Sequence, residues 1–521
     1  MPLPVGGNWP PPAVAATADR LAVWAAWHSG EPDELARVYG GGLNPTGGPA
    51  AAFFHDSQYR GGVVGKFARF FWGTPPSPGE QRTKVHVPIA GDLAALSADL
   101  LFSDPPTLGA ESAATGDRLE SYEECGLWTS LREAAEVGAA MGGVYLRVVW
   151  DRAVSDKPWL SAVGPDGAIP EWSWDRLAAV TFWKVLDSDG TGVLRHLERH
   201  EPGRILHGLY EGTRDKLGRS IPLTEHPATA GIAKALTSGD GIETGTQLLT
   251  AEYIPNMRPN RLWRNVPCAV NYGRSDYAGI EPLMDSLDEA WGSWMRDLRL
   301  GKARIIVPTE ALESLGRGQG AIFDADKEVF TGMDLGPNPD TTITETQFKI
   351  RVEEHEGTTK ALVEQIVRSA GYSIASLGGT GDIAMTATEV TARERRSLTT
   401  RGQKAGYWST GLARILTALL AVDQARFKTP ITVETPDVDF PEAVSADPKD
   451  VAQTAQLLAQ AVAASTETLV RMVHPDWDDT RVTAEVAAIR EANKPPTPVV
   501  VAPPADPMAG KSQPGQMEIR Q

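Results

Sequence analysis

The sequence predicts an α+β protein in which an antiparallel β region sits among helices. Three observations carry that reading. From Gly143 to Tyr210 apolar residues recur at period two, and Asp-Gly or Pro-Gly turns separate the runs. On both sides of this block the apolar spacing is helical. From Thr386 to Gln424 the chain then runs without a proline, directly after the glycine-rich stretch 376–385. At 1.5 Å per residue such a helix would be roughly 55–60 Å long, several times the usual globular helix.

The elements follow in order. Pro10-Pro-Pro12, Gly40-Gly-Gly42 and Pro75-Pro-Ser-Pro78 punctuate the first 80 residues, leaving one clear helix at 13–27 and a second at 33–39. Ile89, Leu93, Leu96 and Leu100 recur at helical spacing until Pro105-Pro106 stops the run. A further helix is expected at 127–141. The runs 144–150, 159–163, 180–186, 193–200 and 205–210 read as five strands of an antiparallel meander. The stretch 228–246, rich in Gly, Thr and Ser, reads as a surface loop.

Glu281-Pro282 starts a helix with proline in its first turn, and Leu283, Leu287, Trp291, Trp294 and Leu298 share one face of it. That tryptophan stripe reads as core. Residues 305–340 form a compact insert with short strands at 321–323 and 329–330. Thr344 and Gln347 supply a capping pair for a helix reaching about Ser369. Thr386 and Glu389 supply another, with Met385 and Val390 as a hydrophobic staple, for the long helix. A strand at 431–434 and helices at 448–464 and 479–492 follow. From Pro495 the tail is Pro-rich and is expected to be disordered.

Composition limits the function. Acids outnumber bases 67 to 50 for a net charge of −17, which argues against gripping phosphate backbones. An acidic wall can still surround DNA without adhering to it. Two cysteines, Cys125 and Cys268, cannot build a disulfide framework or a zinc cluster, so a reducing cytoplasm is the expected setting. The start of the chain has no basic-then-apolar leader, and the most apolar run, 411–422, is too short to span a membrane and contains Arg414.

Catalytic motifs fail on inspection. Gly378-Gly-Thr-Gly-Asp382 lacks the lysine and the preceding strand of a phosphate loop, and Gly510-Lys-Ser512 lacks the first glycine. Gly371-Tyr-Ser-Ile-Ala375 has alanine where a nucleophile elbow needs glycine, and it reads as a helix C-terminus. His474 to Asp479 reads as an acidic turn capping the next helix. The histidines read as scattered, with no pair at metal-binding spacing. No catalytic residue, cofactor site or metal site is expected.

The long helix has two halves. Leu412, Ile415, Leu416, Leu419 and Val422 line one side of its C-terminal half. Its N-terminal half, 391–404, reads as polar and basic almost all round, with Arg393, Arg395, Arg396, Arg401 and Lys404. A helix polar on every face is not held by its own core, so this half is expected to meet a neighbouring subunit.

This order of elements resembles the portal, or head–tail connector, proteins of tailed double-stranded-DNA bacteriophages, in the siphophage branch common among actinobacterial phages. The matching stretches are His86-Val-Pro-Ile-Ala, Ser97-Ala-Asp-Leu-Leu-Phe-Ser-Asp-Pro-Pro106, Gly279-Ile-Glu-Pro-Leu-Met-Asp-Ser-Leu-Asp-Glu-Ala290, Ser293-Trp-Met-Arg-Asp-Leu-Arg-Leu-Gly-Lys-Ala-Arg304 and Thr386-Ala-Thr-Glu-Val390 ahead of Tyr407-Trp408. The resemblance covers about 80–492. It implies a portal-type subunit: an N-terminal segment 1–80, a β/helical wing 81–275, stem helices 276–304 and 344–375, and an α/β clip 305–343. It further implies a tunnel loop 376–385, a long kinkable helix with the wing's return strand at 386–440, a helical crown 441–494 and a tail 495–521.

By the same resemblance the chain forms a ring, expected to be a homododecamer, at one capsid vertex of the virion after assembly in the host cytoplasm. Its expected partners are the terminase large subunit, a head–tail adaptor, major capsid or scaffold protein and DNA passing through the channel, with no membrane involved. Leu377, Gly378, Gly379, Thr380, Gly381, Asp382, Ile383, Ala384 and Met385 would form the tunnel loop. Glycines there allow flexing around a moving duplex, and a ring of Asp382 carboxylates would repel phosphate. The competing readings are a minor capsid or scaffold protein without a channel, and a nucleotide hydrolase using the glycine loop. The missing lysine and paired carboxylates count against the hydrolase.

Overall fold

The computed structural model describes residues 3–39, 85–190, 192–237, 241–300, 350–378, 387–441, 448–474 and 477–492, with Gly239 and four short strand segments between 304 and 346. It comprises two units, 1–443 and 444–521.

In the first unit, helix α1 (Pro12–Ser29) starts on a proline at its first turn and stops at left-handed Gly30. Trp24 and Trp27 on it are fully buried, and Trp24 Nε1 donates to Glu281 Oε1 at 2.9 Å. Helix α2 (Pro32–Tyr39) folds back, and the Tyr39 hydroxyl accepts from Trp27 Nε1. Helix α3 (Ile89–Phe102) buries Ile89 and Leu93 of the expected face, while Leu96 and Leu100 are half-buried and Ala94, Ala98 and Leu101 complete the buried side. Strand β1 (Thr107–Gly109) leads to α4 (Ala113–Glu124), which the sequence reading missed, and to α5 (Leu127–Met141) at the expected bounds. Left-handed Gly142 ends α5.

The expected meander is corrected to two sheets. Strands β2 (Gly143–Val149) and β3 (Trp159–Val163) form a three-stranded antiparallel sheet with β10 (Ala251–Pro255) on the other side of β2. Strands β4 (Ala168–Ser173), β5 (Arg176–Ser188), β6 (Val193–Glu201), β7 (Arg204–Thr213) and β8 (Lys216–Ile221) form the second sheet, and β9 (Gly241–Glu243) pairs with the far half of β7. Strands β4 and β5 are joined by Trp174–Asp175, with φ 49° and 61°, the left-handed pair of a two-residue turn that usually takes Asn-Gly. The expected loop 228–246 is corrected too. It holds helix α6 (Pro227–Ala235), started by proline and by His226 Nδ1 accepting from the Ala228 N–H, and then β9.

Helices α7 (Glu281–Leu300) and α8 (Val352–Ala370) pack side by side. Trp291 and Trp294 of α7 stack on one another and Trp294 stacks on His355 of α8, but both tryptophans are half-buried and Leu298 is exposed, so the stripe is core only in its first half. The start expected for α8 is wrong. Residues 344–346 form strand β14 (Thr344–Thr346), paired with β11 (Arg304–Ile306), and the helix begins only at Val352. Strands β12 (Glu313–Ser314) and β13 (Ala321–Ile322) also pair. The strand expected at 329–330 lies outside the described residues.

Helix α9 (Ala387–Val422) has 36 residues and is about 54 Å long. Leu412, Ile415, Leu416, Leu419 and Val422 are all buried as expected, each contributing at most roughly 1.5–3 kcal/mol. It ends in a π-helical turn, Asp423–Phe427. Asp423 is fully buried there, taking Arg118 Nε and Nη2 at 2.6 and 3.0 Å, Tyr122 at 2.6 Å and Thr429 at 2.7 Å. The expected strand 431–434 is replaced by β15 (Asp437–Asp439), which pairs with β1. Glu434 instead takes the backbone N–H groups of Glu111 and Ser112.

The second unit holds helices α10 (Pro448–Gln460), α11 (Thr466–Val473) and α12 (Asp479–Ala492). The expected helix 448–464 stops early and α11 follows, capped by Ser465 Oγ on the Thr468 N–H. Val470, Val482 and Val486 form its small core. Asp478 Oδ1 caps the Arg481 N–H, as the acidic-turn reading predicts.

Candidate functional site

The stretch that the sequence singled out lies between α8 and α9. Helix α8 ends on Gly371 at φ 103°, whose N–H bonds to the Arg368 carbonyl while that of Tyr372 bonds to the Val367 carbonyl. A side chain at Gly371 would be strained by that φ and would press on Thr400 Oγ1 at 3.2 Å. Residues 374–377 then make one 3₁₀ turn, capped by Ser373 Oγ and closed by left-handed Gly378. Of the expected loop residues, Leu377 and Gly378 are thus placed. Gly379, Thr380, Gly381, Asp382, Ile383, Ala384 and Met385 lie outside the described residues, as does the Thr386 cap.

The first half of α9 is polar, but between Ser397 and Lys404 one polar face is buried in its own chain, so the expectation that no face of it is held by its own core is corrected. Ser397, Thr400, Arg401 and Lys404 recur at i, i+3, i+4 and i+7, a single stripe. It continues through Trp408 into Leu412, Ile415 and Leu419, all buried. Each polar member has a partner within the chain. Ser397 Oγ accepts from the Ser373 N–H and the Ser376 hydroxyl, both at 2.8 Å. Thr400 Oγ1 donates to the Gly371 carbonyl at 2.6 Å. Arg401 Nε donates to the Leu100 carbonyl at 2.5 Å.

Lys404 is 1% exposed. Its Nζ donates to Ser97 Oγ at 2.7 Å, Asp276 Oδ2 at 2.7 Å and the Tyr372 hydroxyl at 2.8 Å, using all three protons. Tyr372 in turn donates to Asp276 Oδ2 at 2.7 Å, and Asn256 Nδ2 donates to Asp276 Oδ1 at 2.8 Å. Burial lowers the Lys404 pKa, with Asp276 opposing it, and burial raises that of Tyr372 well above the usual phenol. The result is a satisfied buried ion pair that joins α3, the segment before α7, the end of α8 and α9. The attraction within such a pair is largely offset by the cost of taking both charges out of water, whereas removing one partner leaves the other charge buried.

Arg401 and Lys404 therefore face their own chain rather than a neighbour. Arg395 and Arg396 are exposed, and the side chain of Arg393 lies outside the described residues. Asp276, Ser97 and Tyr372 were missed from the sequence. The available signal was the stripe itself, since polar residues continue the spacing of an apolar one.

The stretches that carried the resemblance also meet. The Val87 N–H donates to Asp288 Oδ1 and His86 Nδ1 bonds Asp288 Oδ2, both at 2.8 Å. Elsewhere the histidines are not scattered. His196 and His200 lie four apart on β6, and His207 on β7 bonds His196 at 3.2 Å. His200 bonds Glu198, which also pairs with Arg147. Among the described residues no three such ligands gather to hold a metal ion, and no helix is long and apolar enough to cross a membrane.

The model of the family described as "Phage portal protein, SPP1 Gp6-like" matches residues 74–495, more than half of the chain. No curated protein matches it.

Proposed function

We propose that this chain, which belongs to the SPP1 Gp6-like family of phage portal proteins, assembles into a dodecameric ring at one capsid vertex. In this reading the ring is the channel through which double-stranded DNA is packaged and ejected. It is also the platform for the terminase large subunit and a head–tail adaptor. Within the family reading, α7 and α8 serve as stem, 305–343 as clip, 376–385 as tunnel loop and 441–494 as crown. The protein acts by shape and charge, not by catalysis.

One observation carries the proposal. The chain on both sides of 379–386 is pinned to one frame by Ser397, Thr400 and Lys404. A segment meant to touch a moving duplex needs ends that stay put, and this bonding supplies them. Arg395 and Arg396, exposed on the same helix, remain for contact with a neighbouring subunit.

The test has two parts. Negative-stain images of the purified protein are expected to show closed rings with a central hole, and monomers or sheets would count against the reading. The Asp382→Lys variant is expected to assemble normally and to slow or stall DNA packaging, because a ring of ammonium groups attracts the phosphates that aspartates repel. Normal DNA filling by that variant would remove the tunnel-loop role.

A further inference from the structure

The tip of the β4–β5 hairpin is built against the usual preference. Trp174 is 96% exposed and sits at φ 49°, in a turn position where Asn or Gly is normally found. An aromatic this exposed buries almost no surface within its own chain, and strain of this kind is retained where the surroundings or a partner require it. Beside it a cleft of about 440 Å³ opens between this hairpin and α9. Trp172, Trp174 and Tyr407 supply aromatic wall, and Arg176, Arg258 and Arg414 supply charge. Two buried donors there, Trp172 Nε1 and Arg258 Nε, have no hydrogen-bond partner among the described residues. Glu252 and Asp175 offset part of the charge, and Arg414 pairs with Glu252 at 3.2 Å, leaving the arginines in excess by one.

We infer that this cleft is a subunit contact, occupied by an acidic segment of a second copy of this chain, with Trp174 as its anchor. Charge selects the occupant. The chain carries 67 acidic against 50 basic residues, so a neighbouring copy offers mostly carboxylates, and a patch with three arginines is the exception that complements it. The contact is head-to-tail, cleft of one copy against a different surface of the next, which is the type that closes into rings. Tryptophan and arginine are also the residues that most often carry interface energy. The inference rests on the ring reading above and adds where two copies meet.

Wild-type protein, Trp174→Ala and Arg176→Glu are to be compared by sedimentation velocity across a concentration series, with circular dichroism as the folding control. Both side chains are exposed, so both variants are expected to fold. Each is expected to raise the midpoint concentration for ring assembly at least about tenfold. In a second arm a photoreactive amino acid at position 174 is irradiated in assembled wild-type-like rings, and chain-to-chain products on a denaturing gel are expected. Wild-type rings with unchanged assembly of both variants, or crosslinks confined within single chains, would overturn this inference alone. A wild-type protein that stays monomeric would overturn the ring reading, and this inference with it.

Discussion

The two halves of α9 lie on one stripe of one helix, yet they are fixed by different forces. From Leu412 to Val422 the stripe is apolar and packs among Leu119, Leu131, Leu146 and Leu160. Contacts of that kind are strong but non-directional. From Ser397 to Lys404 the stripe is polar: Ser397, Thr400 and Lys404 bond residues of the segment that precedes the glycine-rich stretch, and Arg401 bonds the Leu100 carbonyl on α3. Hydrogen bonds to buried partners add little net stability, but they reject any other register. The apolar half holds the rod in the protein, and the polar half sets where its loop end sits.

The largest test of that contrast is at Asp276. Its replacement by alanine leaves the Lys404 ammonium buried without a counter-charge and is expected to cost about 3–5 kcal/mol in chemical denaturation. Adding Lys404→Met should recover part of the loss, because no charge is then left buried without its partner, although Tyr372, Ser97 and Asn256 each still lose a hydrogen bond. A double variant no better than the single would mean that the pair does not act as a unit. In the apolar half Leu416→Ala is expected to cost about 2–5 kcal/mol through the cavity it leaves, with no second-site polar rescue.

Acid offers a comparison with a third region. Burial lowers the pKa of His196 and of His207 from 6.5 to about 4. Burial pushes Glu198 upward, but His200 and Arg147 outweigh it and hold the carboxyl well below its usual range. Between about pH 6.5 and 4 the unfolded chain therefore binds protons that the folded sheet refuses, so stability rises with pH through that window and falls on acidification. Glu198 adds to the loss as pH drops below its unfolded value, and the two histidine contributions level off near pH 4. A His207→Asn variant is expected to show a flatter melting-temperature profile across the window, and an unchanged slope would place the acid response elsewhere.

The smallest expected effect is local. Ser397→Ala removes the acceptor of the Ser373 N–H and should cost about 1 kcal/mol. Hydrogen exchange at Ser373 should speed up about fivefold while amides around Leu416 stay as they were.

Periodic local patterns were readable in advance. Helix 127–141, helix 479–492 and the apolar face of α9 come out as the spacing of Leu, Val and Ile dictates. Strand pairing was less readable. Thr107–Gly109 pairs with Asp437–Asp439 across most of the unit, and three-residue strands carry no period of their own. At 344–346 a capping pattern pointed to a helix, and pairing with 304–306 overrode it. The site divided in the same way. Its glycines and its rod were visible, but Lys404 meets Asp276 across 128 positions, and a single buried lysine among arginines looks like a solvated one.

The hydrogen bonds from the Ser373 N–H to Ser397 Oγ and from Thr400 Oγ1 to the Gly371 carbonyl make the base of the intervening segment a closed clasp. What lies beyond a clasp is free to vary in length. Each doubling of such a segment costs only about 0.6 kcal/mol in closure entropy. Residues can then be added or removed between Gly378 and Ala387 without re-tailoring the rod, the ion pair or the core. On the proposed tunnel-loop reading, the width left for a duplex would then be adjusted by insertion and deletion alone, with the rest of the molecule serving as an unchanged mount.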